Sequence, residues 1–212
     1  MNMSGFDIQA LVDDLEPVRT LQPRRSIAVS LVITGALLAF VVWLLGMRED
    51  LMTGRPDSMF LLRGGTLLLL GLANAGAVMA MASPSVGRHN TGWKVALAAA
   101  LLFPLAALIV AISAAPIEEM GDMWTGVQCL RMSVMGGFAI AVPLILHLRR
   151  GAPTSPERAG WLTGLAAGGL GAFAYGFHCP FDSIVYIGLW YSLAVGITAV
   201  AGRLVVPRLI RW

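Results

Sequence analysis

The sequence predicts an all-α integral membrane protein: six transmembrane helices, both termini cytoplasmic, and a short amphipathic helix in the N-terminal tail. Three observations carry this. The 212 residues are 57% hydrophobic and only 13% charged, where a soluble domain carries roughly a quarter charged residues. Six runs reach the length of about 20 apolar residues that a spanning helix needs. The basic residues are unevenly divided between the two sides those runs define.

The spans are Ser26–Gly46, Phe60–Ala82, Trp93–Ala114, Gly126–His147, Ala159–Phe177 and Ser183–Val206. The chain thus divides into a tail, residues 1–25, and a bundle, residues 26–212, with connections too short for an inserted domain. The first run is too long for a cleaved signal peptide and reads as an uncleaved anchor. Six spans put both termini on one side, with Arg19, Arg24, Arg25, Arg88, Lys94, Arg149, Arg150, Arg158, Arg203, Arg208 and Arg211. Only Arg48, Arg55, Arg63 and Arg131 belong to the other side, so the richer side is expected to be cytoplasmic.

In the tail, Ile8, Leu11, Val12 and Leu15 recur at helical spacing, while Asp13, Asp14 and Glu16 lie off that stripe. Asp7 is placed to cap the helix, and Pro17 disfavours helical geometry just before itself. So short a helix is marginal alone in water. One reading lays it on the membrane surface, but surface-seeking helices carry Lys and Arg on the polar face, and this one is acidic. A protein partner that orders the tail on binding fits better.

The spans hold no Asp, Glu or Lys near their middles. Ion and proton pathways need such groups, so a small transporter or channel is the runner-up reading. Arg63 and Arg131 fall near the outer ends, where long side chains snorkel. Gly160, Gly164 and Gly168 repeat at four-residue spacing, as do Gly71 and Ala75, which predicts close helix packing. Pro104 and Pro143 are expected to bend their helices, and Asn74 to bond across to a neighbour.

The two cysteines are the remaining chemistry. Cys129 follows the acidic loop PIEEMGDMWTGVQ near the outer end of the fourth span, and Cys179 lies in FHCPFD at the outer end of the fifth. Both thiols are therefore expected at the same non-cytoplasmic surface, on consecutive antiparallel helices. Three readings compete: a structural disulfide, which needs close alpha carbons; a thiol pair that is oxidised or captures a soft metal; and two small buried hydrophobes. In the second, His178 is a candidate nitrogen ligand, Asp122 or Asp182 an oxygen ligand, and Cu, Zn or Cd the ion. There is no CxxC, which argues against a thiol oxidase.

Several stretches together resemble the NrsF family of bacterial inner-membrane anti-sigma factors. They are LVDDLEPVRTLQP at Leu11–Pro23, GMREDL at Gly46–Leu51, GVQCL around Cys129, LRRGAP at Leu148–Pro153, FHCPFD around Cys179, and the terminal Arg211–Trp212. One departure is Tyr191, in LWYS, where the family commonly carries a histidine. The resemblance implies a non-enzymatic six-span sensor whose tail holds an extracytoplasmic-function sigma factor at the membrane, without touching nucleic acid. It further implies tuning to heavy-metal or oxidative stress, with both periplasmic cysteines required. Under that reading Leu11, Val12, Leu15 and Val18 anchor the partner, Asp13, Asp14 and Glu16 steer it, and Asp7 caps the helix.

Overall fold

The computed structural model describes residues 22–82, 98, 101–102, 104–106, 108–110, 112 and 122–210. The tail candidates Asp7, Leu11, Val12, Asp13, Asp14, Leu15, Glu16 and Val18 lie outside the described residues, as do most of the third expected span and the acidic loop before Asp122. No strand occurs among the described residues.

Helix α1 spans Pro23–Leu45, α2 is the short Glu49–Met52, and α3 spans Ser58–Met81. After the few described residues between 98 and 112 come α4, Met123–Arg149, α5, Pro156–Gly176, and α6, Ile184–Leu209, whose residues 187–191 form a π-helical turn. Helix α1 begins three residues before the expected Ser26, inside the segment assigned to the tail, because Pro23 at its start has its backbone angle preset for a helix. The small helix α2 has no counterpart in the sequence reading. Asp57 caps α3 by accepting from the Met59 amide at 2.8 Å, and Asp122 caps α4 by accepting from the Thr125 amide at 3.1 Å.

Four of these helices, α1, α3, α4 and α6, are long and apolar enough to cross a membrane. Helix α5 has the length but falls short in apolarity, and its position explains why. It is the axis of the described bundle, packed by α3, α4 and α6, and two thirds of its residues are buried. Backbone rather than bulky side chain faces its neighbours. A Cβ at Gly171 would lie 2.5 Å from the Gly137 amide of α4, one at Gly160 2.6 Å from the Gly202 carbonyl of α6, and one at Gly169 3.0 Å from the Gly71 amide of α3. Small residues thus serve three interfaces at once. Exposed apolar bulk sits on the outer helices instead, as at Val32 and Trp43 of α1, 69% and 80% exposed.

Buried threonine hydroxyls bond within their own helices: Thr34 donates to the Ser30 carbonyl at 2.9 Å and Thr163 to the Ala159 carbonyl at 2.7 Å. Asn74 does the same, donating to the Leu70 carbonyl at 2.7 Å, so the expected bond across helices is not made. Helix α4 runs on through Pro143 to Arg149.

Contacts fix which helix ends lie together. Ser26 meets His147, the Ala152 amide donates to the Ala82 carbonyl, and Arg203 pairs with Glu157. The start of α1 and the end of α6 therefore share one end of the bundle. The opposite end gathers the start of α3, α4 and α6, the end of α1 and α5, and both cysteines.

Candidate functional site

Cys129 lies within α4, about two turns past the Asp122 cap. One turn before it, Gly126 leaves room for the Trp190 indole, which occupies the space a side chain there would fill. Cys179 lies beyond the last turn of α5, its amide 3.3 Å from the Tyr175 carbonyl. The turn at Phe177–His178 and the irregular residues 179–183 after it lead from α5 into α6. Both sulfurs are free and fully buried, in one core cluster and near enough to act on each other's ionisation. Proximity that the sequence left open is thus present without a disulfide.

Aromatic rings close the pocket. Tyr175, Tyr186, Trp190 and Tyr191 belong to the same buried cluster as the two sulfurs. Cys179 Sγ lies 3.8 Å from the Tyr186 hydroxyl, and the Tyr191 hydroxyl is buried beside the pair. The π-helical turn brings Trp190 and Tyr191 to this face; such turns recur at functional sites. Tyr191 is therefore a wall of the thiol pocket.

Behind the sulfurs stands a buried charge network that the sequence reading missed. Arg63 was expected to snorkel; instead it is fully buried. Its Nη1 donates to the Phe181 carbonyl at 2.7 Å and lies 3.2 Å from Asp182 Oδ1, and its Nη2 donates to the Gly176 carbonyl at 3.1 Å. Its guanidinium also stacks over the Tyr191 ring, 5.0 Å from the centroid. The loop after α5 turns its carbonyls inward, and an arginine satisfies them better than water at a dry helix end. Arg48 grips the same carboxylate with both Nη atoms and donates to the Cys179 carbonyl at 3.2 Å. The bond to Asp182 holds the Arg48 guanidinium more firmly charged than usual, against the opposing effect of burial. The Cys179 thiol is pulled below its ordinary range. Its largest cause is the hydrogen bond from Cys129, and the Phe181 amide, the Tyr191 hydroxyl and the charge of Arg63 act in the same direction against burial.

The expected metal ligands are not gathered. His178 has its Nδ1 3.1 Å from the Gly46 carbonyl and its ring against Tyr175. Asp122 is a helix cap and Asp182 is held by two arginines. Among the described residues no three of His, Cys, Asp and Glu form a ligand group. A tetrahedral zinc site is therefore a poor fit, while two sulfurs alone suit a two-coordinate soft ion such as Cu(I), or a disulfide. Elsewhere, a cavity of about 80 Å³ between α4, α5 and α6 is lined by apolar and small residues and by two threonines whose hydroxyls bond their own helices. It holds no ionisable group of the kind a transport pathway needs.

Comparison with known proteins agrees along the chain. A family model described as negative regulator of sigma F matches residues 11–212. The probable anti-sigma-F factor NrsF of Azospira oryzae is 30% identical over 198 residues, covering 89% of each chain. The anti-sigma-F factor NrsF of Caulobacter vibrioides is 32% identical over 182 residues, 84% of this chain and 83% of the relative. No solved structure matches the chain.

Proposed function

This chain belongs to the NrsF family, the negative regulators of sigma F, and on that premise we propose that it is a membrane-held anti-sigma factor whose thiol pair is the trigger for release. Residues 1–25 grip an extracytoplasmic-function sigma factor at the cytoplasmic face, with Leu11, Val12, Leu15 and Val18 as apolar anchors and Asp13, Asp14 and Glu16 steering. Cys129 and Cys179 face the periplasmic side of the inner membrane. The observation that supports the trigger is their closeness, reduced, within a buried aromatic pocket.

Two chemistries suit such a pair. A two-electron oxidant such as peroxide takes two electrons from the pair; the Cys129 S–H proton and one from solvent go to its reduced oxygens, leaving one S–S bond and two waters. Alternatively a soft cation such as Cu(I) would bind both sulfurs, the Cys129 proton passing to solvent, and would supply a bond stiff enough to reposition the loop. Either change needs to favour the releasing state by only about 2–3 kcal/mol for a release of tens of fold.

The test is a reporter driven by the sigma factor in cells carrying the full chain. L11A with L15A is expected to abolish co-purification of the sigma factor and leave the reporter high; full retention would refute the tail assignment. Cys129→Ser or Cys179→Ser is expected to keep the reporter low and uninducible by copper, cadmium or peroxide. A high basal reporter would show that the thiols merely hold the fold together.

A further inference from the structure

Helix α1 carries the tail into the bundle and is the least buried of the long helices, with only Ser30 and Thr34 buried along its described side chains. It is tied at both ends. At its start the Ser26 hydroxyl lies 2.7 Å from His147 Nδ1. At its end, residues 46–48 lie clipped along residues 177–182. The Arg48 amide donates to the Phe177 carbonyl at 3.2 Å, His178 meets the Gly46 carbonyl, and the Arg48 guanidinium holds both the Cys179 carbonyl and Asp182. Arg63 touches the same carbonyl, at 3.5 Å.

The peptide of one sensor cysteine is thus part of the clip. Bonding the two sulfurs draws them to about 2 Å, and an ion held by both fixes their separation and direction instead; either constraint is passed to the more compliant cysteine backbone. Cys129 stands inside a continuous helix whose ladder resists displacement. Cys179 stands in the irregular connection between α5 and α6. The compliant partner moves, and the carbonyl it carries is the one that both arginines hold.

We propose that Arg48 is a latch: in the reduced protein its clip on Phe177–Asp182 holds α1 in the position that grips the partner, and displacement of Cys179 opens it. Arg48 acts here as a positioning residue between thiol chemistry and tail. This rests on the function proposed above and supplies its missing mechanical link.

The experiment uses the full-length chain and the same reporter, with Arg48→Gln alone and combined with Cys129→Ser. We expect Arg48→Gln to raise the uninduced reporter at least tenfold, to within twofold of the wild-type induced level, with or without Cys129. Hydrogen exchange on the protein in membranes should show the Arg48 amide exchanging at least tenfold faster, with α4 and α5 as protected as in the wild type. A low reporter in Arg48→Gln, inducible or not, overturns the latch. So does a rise that requires Cys129, or one accompanied by lost protection throughout α4 and α5, which would mark simple unfolding. A strain lacking the whole chain separates the premise: if its reporter also stays low, the anti-sigma reading itself fails.

Discussion

Arg48 and Asp182, 134 positions apart in sequence, meet through a two-pronged ion pair that joins the end of α1 to the loop beyond α5. Arg63, its side chain 1% exposed, shares the same carboxylate. Asp182→Asn removes the negative charge from between two arginines while keeping its shape. Breaking a buried pair in this way costs about 3–5 kcal/mol, so the melting midpoint of the detergent-solubilised protein should fall well below that of the wild type. Asp182→Glu, which keeps the charge, should recover part of the loss.

The thiol pair should respond to pH unlike a free cysteine. A lowered Cys179 pKa means that its thiolate persists as pH falls, because the remaining S–H of Cys129 and the nearby Arg63 still stabilise the charge. A free thiol loses roughly fifteenfold of its thiolate between pH 8.5 and 7. The rate of modification by a small methanethiosulfonate reagent should change less than twofold over that interval. Cys129→Ser should restore a steeper fall.

Small residues on α5 should be intolerant only where they face backbone. Gly171→Ala places a methyl 2.5 Å from the Gly137 amide and the Ser133 carbonyl, and backbone yields less readily than a side chain. Overpacking of this kind typically costs 1–3 kcal/mol, about what we expect here. Gly196→Ala in α6 meets nothing within 4 Å, and alanine is the better helix former by about 0.5–1 kcal/mol. Unfolding midpoints in SDS titration should therefore move in opposite directions.

Gly46 adopts φ 86° and ψ 163°, a region essentially reserved for glycine. Space is open around it, so Gly46→Ala tests backbone strain alone. A loss of about 1–3 kcal/mol is expected by the same SDS titration. Since Gly46 begins the clip, faster exchange at the Arg48 amide should accompany it.

Much of the architecture was legible in residue order. The second, fourth, fifth and sixth expected spans lie within three residues of the observed helix limits at either end, because long apolar runs bounded by Asp and Pro leave little choice. The glycine rows likewise announced close packing. The buried charge network was not legible. Arg63 near a span end looks like an ordinary snorkelling residue, and Arg48 counted only toward the sparsely basic side. Asp182 read as a candidate ligand because nothing local shows that two arginines from distant segments converge on it. His178 read the same way, and in the structure it joins the clip to Gly46.

The sequence by itself determined the long helices among the described residues, the two-thiol inventory and the family, since length, hydropathy and motif order are properties of the chain read one segment at a time. Tertiary structure alone decided that the two cysteines share one buried cluster, that α5 is the axis of the described bundle, and that Arg48, Arg63 and Asp182 form one unit. Those depend on which faces and ends meet across more than a hundred residues, where burial forces every charge and inward carbonyl to find a partner wherever the fold supplies one.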